Sequence, residues 1–256
     1  MDLAGARSAL DGTRFGDLHV VAETGSTNSD LVAAARHGGG EQVLIADHQT
    51  SGRGRLDRRW EAPPGASLLM SVLVRPPFPS AGPHAIPTAL GVALVDALGA
   101  ATEVAVGLKW PNDLVVTTAA GDRKLAGVLA ETIADSGEID AVVVGVGLNL
   151  DWPSVPEDLD GIATALNLEG ATLDRLTLAA DVLVRFASLL ADQRLDQRYR
   201  AACRTIGRRV RIERPHDELV GTAVDMARGG ELVVEDDAGA RHIVTVGDVI
   251  HLRPAP

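Results

Sequence analysis

The chain has 256 residues, 46% of them apolar and 3% aromatic, so it can bury a sizeable core built mainly from Ala, Val, Leu and Ile, and disorder is excluded as a class. One cysteine, Cys203, excludes a disulfide framework and any zinc site that needs two thiolates. A formal charge of −11 argues against non-specific binding of nucleic acid by the whole surface, and the lack of both a run of about 18 apolar residues and a basic-then-apolar start argues against a membrane span and a secretory signal, leaving a cytoplasmic globular protein as the expectation.

Roughly the first 20 residues are weakly patterned. Residues 18–22 (LHVVA) read as a short strand, broken by Thr24-Gly25-Ser26-Thr27-Asn28. A helix is expected over about 29–37, capped by Ser26, Thr27 or Asn28 and stopped by Gly38-Gly39-Gly40. Residues 42–47 (QVLIAD) read as a buried strand, 49–60 as a loop rich in Gly and Arg, and 67–75 (SLLMSVLVR) as a strand ended by Pro76-Pro77. Residues 84–99 have helical length, with Pro87 tolerated in the first turn. Strand-like pieces at 104–109, 114–117, 124–133 and 139–150 follow in quick succession, and Gly121-Asp122 and Asp135-Ser136-Gly137 between the later ones point to hairpins. The pattern predicts an α+β fold, a mixed but mostly antiparallel sheet with flanking helices. Residues 173–200 form a long helical stretch with a break near Asp192. After Cys203 come four short alternating segments, 208–213, 219–226, 231–235 and 241–252. Turns at Pro215-His216-Asp217, Arg228-Gly229-Gly230 and Asp236-Asp237-Ala238-Gly239 divide them, which predicts a small β-barrel over 204–256 appended to a main domain over 1–203.

Five segments can carry chemistry. Ser51-Gly52-Arg53-Gly54-Arg55-Leu56-Asp57-Arg58-Arg59-Trp60 places four arginines within seven residues of an acidic chain. Its glycines free the backbone, its guanidinium forks suit phosphate or carboxylate oxygens, and Trp60 offers a stacking surface; a solvated basic loop is the plainer reading. In Lys109-Trp110-Pro111-Asn112-Asp113, between two apolar runs, the residues suit a turn, and equally a place where Asn112 and Asp113 set oxygens near a nucleotide-bound Mg²⁺ and Lys109 offsets phosphate charge. Lys124, in Arg123-Lys124-Leu125-Ala126-Gly127-Val128-Leu129-Ala130-Glu131, either snorkels to water or points into a site. The glycines of Val144-Gly145-Val146-Gly147-Leu148-Asn149-Leu150 mark close approach of a ligand or another chain segment; no third glycine or helix follows, so a dinucleotide fold fails. In Glu23-Thr24-Gly25-Ser26-Thr27-Asn28 the hydroxyls either cap a helix or bind a small polar ligand at its N-terminus. Cys203 has no evident partner, and the seven histidines are scattered, so covalent catalysis and a metal held by protein ligands alone are not expected.

Taken in order, ETGSTN, GRGR with its nearby Trp, KWPND, KLAGVLAE and VGVGLNL resemble the biotin protein ligases, over about residues 20–252 including the small barrel. The resemblance implies a synthetase-like catalytic sheet with an SH3-like C-terminal barrel. It implies a two-step reaction: ATP activates biotin to biotinyl-5′-AMP, and the biotin passes to one lysine of a biotin carboxyl carrier protein, usually that of acetyl-CoA carboxylase. Mg²⁺ is the implied cofactor. By the family pattern Ser26, Thr27, Asn28, Gln49, Gly52, Arg53, Gly54, Arg55 and Lys124 surround biotin, with Arg53, Arg55 and Lys124 catalytic. Arg58, Trp60, Lys109, Asn112, Asp113 and Asn149 fall to the nucleotide, with Trp60 and Asn149 near the adenine and Asp113 also to the metal. The family loop commonly reads GRGRxGR; here Asp57 stands at the usual glycine, which stiffens the loop and adds a negative charge. Relatives that also repress transcription carry a helix-turn-helix domain, and the 25 residues before Ser26 are too few for one, so a ligase of the type without it, with no DNA or membrane partner and as monomer or homodimer, is expected. A lipoate or octanoyl transferase, or a non-catalytic binder of biotin or its adenylate, are the alternatives.

Overall fold

The computed structural model describes residues 1–56, 58–119, 121–213, 217–227, 229–245 and 247–251. Asp57, the turn residues Pro215, His216 and Arg228, and Leu252 at the end of the last predicted strand lie outside them. The weakly patterned start folds as a short helix, α1 (Leu3–Ala9), capped by Asp2, whose Oδ1 accepts from Gly5 N at 2.8 Å. Seven residues are too few to show a helical period, and burial of Ala6, Leu10 and Phe15 holds the segment instead, with Phe15 stacked on Phe186 at 5.1 Å between centroids.

The remaining elements follow the predicted order. They are β1 (Leu18–Thr24), α2 (Thr27–Arg36), β2 (Gln42–Gln49), β3 (Ser67–Val74), α3 (Ala85–Ala101), β4 (Val106–Lys109), β5 (Asp113–Thr118), β6 (Gly121–Asp135) and β7 (Glu138–Asn149). Then come α4 (Arg175–Leu189), α5 (Leu195–Ala202), β8 (Arg209–Glu213), β9 (Glu218–Met226), β10 (Leu232–Glu235), β11 (Arg241–Val244) and β12 (Asp248–His251). The long helical stretch breaks at Asp192 as expected, into α4 and α5. The last predicted strand divides into β11 and β12.

The first seven strands form one sheet in the order β1-β2-β3-β7-β6-β5-β4. Only β1 and β2 run parallel, so the sheet is mixed and mostly antiparallel, as the sequence predicts. The other five form an antiparallel sheet in the order β11-β10-β9-β8-β12, the C-terminal module. Alternation decides what each face of the large sheet carries. On one face Met70, Val72, Val128, Val144 and Val146 join a core with α1, α3, α4 and α5. β3 is buried along its whole length because both its faces are covered.

The opposite face positions the site. At one end α2 lies across the sheet, packing Leu31 and Ala35 on Leu73, Ile133, Ala141 and Val143. At the other end Trp152, Ala163 and Ala165 pack on Ala66. Between these two lids the middle rows of β3, β7 and β6 meet only the first turn of α2 and the loop that follows β2, and the cleft described below lies there. Among the described residues no helix is long and apolar enough to cross a membrane.

Candidate functional site

A cleft of about 390 Å³ opens over these middle rows. Its wall takes six cationic side chains, Arg53, Arg55, Arg58, Arg59, Lys109 and Lys124, against two carboxylates, Asp113 and Glu213. In a chain of net charge −11 that local excess favours an anionic ligand.

One end is polar and centres on α2. Ser26 caps the helix loosely, with Oγ 3.4 Å from Ser29 N. Thr27 N and Oγ1 both donate to Gln49 Oε1, at 2.7 and 3.0 Å. Thr27 Oγ1 also lies 2.7 Å from Ser71 Oγ, and Ser71 donates to Asn28 Oδ1 at 2.6 Å. Two hydroxyl protons cannot serve all three oxygen–oxygen contacts, so the cluster is short of a donor and can accept one from a ligand. Asn28 Nδ2 donates to Glu131 Oε2 at 3.0 Å, and Arg53 Nη1 to Glu131 Oε1 at 2.7 Å. Asn28 fits only because Gly145 has no side chain: a Cβ there would stand 2.1 Å from Asn28 Oδ1.

The Gly-Arg segment folds back on itself as a small hairpin. Arg53 bridges Arg59, Gly54 N donates to Arg58 O at 2.7 Å, and Trp60 N to Gly52 O at 3.0 Å. The tip residue Leu56 has φ of 55° and is 60% exposed. Gly52 does not line the cleft. Its role is close packing, since a Cβ there would meet Trp60 O at 2.3 Å.

The hairpin delivers Trp60 to the sheet. The ring sits on Gly127 and Gly147, which face each other across β6 and β7. A Cβ at Gly147 would be 2.3 Å from Trp60 Cε2. The VGVG glycines therefore mark close approach by two side chains of the site, Asn28 and Trp60. Lys124 Nζ lies 5.6 Å from the Trp60 ring centroid and 2.7 Å from Asp113 Oδ1, an ion pair without hydrogen-bond alignment. Lys124 points into the site rather than away to water.

The 109–113 segment is the turn between β4 and β5, with Lys109 paired to Asp113. Trp110 is buried and anchors the turn to the C-terminal module, its N donating to Thr205 Oγ1 at 3.0 Å and its Nε1 to Gly230 O at 2.8 Å. Asn112 Nδ2 donates to Val128 O at 3.0 Å, and its Oδ1 accepts from Arg55 Nη1 at 3.3 Å. The segment is thus a chain reversal, and it also places Lys109, Asn112 and Asp113 in the cleft wall.

Asn149 is 2% exposed and does not line the cleft, although it shares the face of Gly145 and Gly147. Its Nδ2 donates to Thr164 O at 2.9 Å, while Oδ1 has no partner; Ser67, opposite it on β3, also leaves its Oγ unpaired. Trp60 Nε1 is likewise buried and unpaired. Cys203 is buried, and burial pushes its thiol pKa up, which suits packing and not nucleophilic attack. Among the described residues no group of three His, Cys, Asp or Glu could hold a metal.

Sequence reasoning missed Ser71, Glu131, Glu213, Val249 and Ile250. Ser71 carried a signal, a polar residue inside an apolar strand on the same face as Ser67. Glu213, Val249 and Ile250 reach the cleft from the C-terminal module and carried none.

Comparison with known proteins gives the family. The profile of the biotin/lipoate A/B protein ligase family matches residues 26–149, and that of the biotin protein ligase C-terminal domain matches 205–252. The biotin–[acetyl-CoA-carboxylase] ligase of Mycobacterium tuberculosis is 40% identical over 94% of this chain and 91% of its own. The bifunctional ligase/repressor of Escherichia coli K12 is 31% identical over 89% of this chain and 71% of its own. The Aquifex aeolicus biotin protein ligase, solved in complex with biotin and ATP, superposes with a TM-score of 0.77 at 26% identity, over 94% of this chain and 100% of that one.

Proposed function

The chain belongs to the biotin protein ligase family, and we propose on that premise that its cleft converts biotin and ATP to biotinyl-5′-AMP and then passes the biotin to a lysine of the acetyl-CoA carboxylase carrier domain. The observation that carries the reading is a cleft in which a polar end (Ser26, Thr27, Asn28, Gln49) adjoins a cationic wall (Arg53, Arg55, Lys109, Lys124). A ligand with a neutral hydrogen-bonding head and an acidic tail fits the first part, and a nucleotide phosphate the second.

The chemistry follows from this adjacency. A biotin carboxylate oxygen attacks the α-phosphorus of ATP, the bond to the bridging oxygen breaks, and pyrophosphate leaves. Lys124, Arg53 and Arg55 stabilise the phosphoryl oxygens as charge shifts among them. The hairpin that pairs Gly52, Arg53 and Gly54 with Arg58, Arg59 and Trp60 shields the mixed anhydride from water. The ε-amine of the carrier lysine then attacks the biotinyl carbonyl carbon, and AMP departs with the bonding electrons.

The nucleotide end is assigned to Trp60, whose ring lines the cleft and offers a purine a stacking surface, while Asn149 lies behind the cleft wall with its Nδ2 held by Thr164 O. Asp113 suits a hydrated Mg²⁺ on the phosphates: its carboxylate stands in the cleft, and the remaining ligands would be phosphate and water oxygens. Bound there, the ion would offset the charge of the departing pyrophosphate. The reading assigns catalysis to residues 1–203 and makes 204–256 a module that closes the cleft through Glu213, Val249 and Ile250.

Biotin-dependent ATP–pyrophosphate exchange, followed by transfer of labelled biotin to a carrier domain, tests the reading. Exchange and transfer are expected. Tight biotin binding without exchange would make the protein a non-catalytic binder, and transfer of lipoate or octanoate in place of biotin would make it an acyl transferase.

A further inference from the structure

Glu131 closes the KLAGVLAE motif but receives no role from it, yet both its carboxylate oxygens are committed to the site. Oε1 accepts from Arg53 Nη1 at 2.7 Å and Oε2 from Asn28 Nδ2 at 3.0 Å. Asn28 is tied through Ser71 and Thr27 to Gln49, so one carboxylate joins the Gly-Arg hairpin to the whole polar end of the cleft. Its place is fixed by the sheet: Glu131 pairs with Val143 and lies on the same face as Gly127 and Leu129 of β6, next to the row formed by Ser71, Gly145 and Leu129.

The two contacts differ in exposure. Asn28 is buried, whereas the Arg53 side chain is 48% exposed against 23% for Glu131. Water reaches the ion pair, so it is weak enough to exchange. The contact to Asn28 is sheltered and stays. An anion entering the cleft competes for the same guanidinium, and a phosphoryl or carboxylate oxygen can replace Oε1 in kind.

We propose that Glu131 is a positioning residue, a latch that holds Arg53 and its hairpin over the empty cleft and yields the guanidinium to the ligand's anionic group on binding. The proposal rests on the reading that an adenylate fills this cleft, but its first test needs no ligand. Glu131→Gln keeps the size and an acceptor for Asn28 and removes the charge that holds Arg53.

Limited trypsin digestion of the full chain reads the latch, counted by mass spectrometry at the Arg55–Leu56 bond, which every variant retains. In ligand-free protein, E131Q is expected to be cut on the order of two- to fivefold faster than wild type, the range of a partly exposed ion pair. R53Q should behave the same, and the double variant should be no faster than either single one. With biotin and ATP at saturation, the difference between E131Q and wild type should vanish. Ligand-free cutting of E131Q at the wild-type rate would overturn the latch, and so would effects that multiply in the double variant. An equal acceleration with and without ligand would reduce Glu131 to a structural role. Should biotin and ATP fail to protect even the wild type, the assignment of the cleft to an adenylate fails, while the ligand-free comparison still decides the latch.

Discussion

Gly145 and Gly147 stand two residues apart on β7, and each leaves room for a different part of the site, so adding one methyl group at each should separate the two substrates. A Cβ at Gly147 would lie 2.3 Å from Trp60 Cε2 and 2.6 Å from Trp60 Nε1. Carbon atoms pack at about 3.5–4.0 Å, so the ring must retreat by about 1 Å or more. The backbone cannot yield in its place, because Gly147 is paired to Leu69 on one side and Gly127 on the other. Trp60 can move, since it ends a surface hairpin. Overpacking of this kind costs about 1–3 kcal/mol. Taken up by the ring's seat, that range lowers nucleotide affinity by a factor of about 5–150.

At Gly145 the same methyl group meets Asn28 Oδ1 at 2.1 Å and Ser71 Oγ at 2.9 Å, so the polar end is disrupted and Trp60 is spared. Pyrophosphate exchange, measured against ATP at fixed biotin and against biotin at fixed ATP, separates the cases. Gly147→Ala should raise KM for ATP, and Gly145→Ala should raise KM for biotin. A wild-type KM for ATP in Gly147→Ala, or both variants acting on the same substrate, would refute the division of the cleft.

Ser71→Ala removes a buried hydroxyl that links Thr27 to Asn28 and leaves Asn28 Oδ1 without its donor. The loss should cost about 1–3 kcal/mol and appear in KM for biotin, with KM for ATP unchanged; a titration of biotin binding checks it. Lys124→Ala should lower the exchange rate by a factor of about 10–150, the equivalent of about 1.5–3 kcal/mol for a hydrogen bond to a charged group, with the melting temperature little changed; near-normal exchange would remove Lys124 from the mechanism. His251 Nδ1 lies 2.7 Å from Asp122 Oδ2 and Nε2 lies 3.0 Å from Thr205 Oγ1, joining the C-terminal module to β6. Burial lowers the His251 pKa, aided by Lys109 and Arg208 and opposed by Asp122. The folded chain therefore binds this proton less readily than the unfolded chain, and the stability His251 contributes is present above pH 6.5 and lost as pH falls through the depressed value. His251→Gln should flatten the fall in Tm between about pH 7 and 5. An unchanged pH dependence would place that fall elsewhere.

The large sheet was legible because its strands are short apolar runs divided by turn signals, and because β3 and β7 are largely apolar and buried over most of their length. The ordered motifs located the cleft for a related reason: ETGSTN, GRGR and KWPND lie at strand ends or in connections, and KLAGVLAE and VGVGLNL set glycines or a lysine into the apolar runs of β6 and β7, so residues unsuited to packing stand out. What remained hidden depends on tertiary contacts. α1 is held by burial of Phe15 against Phe186, far along the chain. Gly52 reads as a ligand-loop glycine, but its missing side chain makes room for Trp60 O. Val249 and Ile250 look like ordinary barrel residues until the module is set against the turn at Trp110. Glu131 looks like an exposed strand carboxylate, and only the fold brings Arg53 to it.

Its pairings explain how a strongly acidic chain maintains a cationic cleft. Lys124 faces Asp113, Arg53 faces Glu131, and Arg55 rests on the neutral Asn112. A ligand anion therefore exchanges partners with these groups instead of meeting bare charge, and its net gain on binding is small. In the proposed reaction Lys124 and Arg53 would gain more as charge grows on the phosphoryl oxygens, because their carboxylate partners are fixed to strands and the phosphoryl group is not. Hence the effect of Lys124→Ala belongs on kcat more than on KM for ATP. The opposite pattern would mean that the lysine serves ground-state binding, with Asp113 only its resting partner.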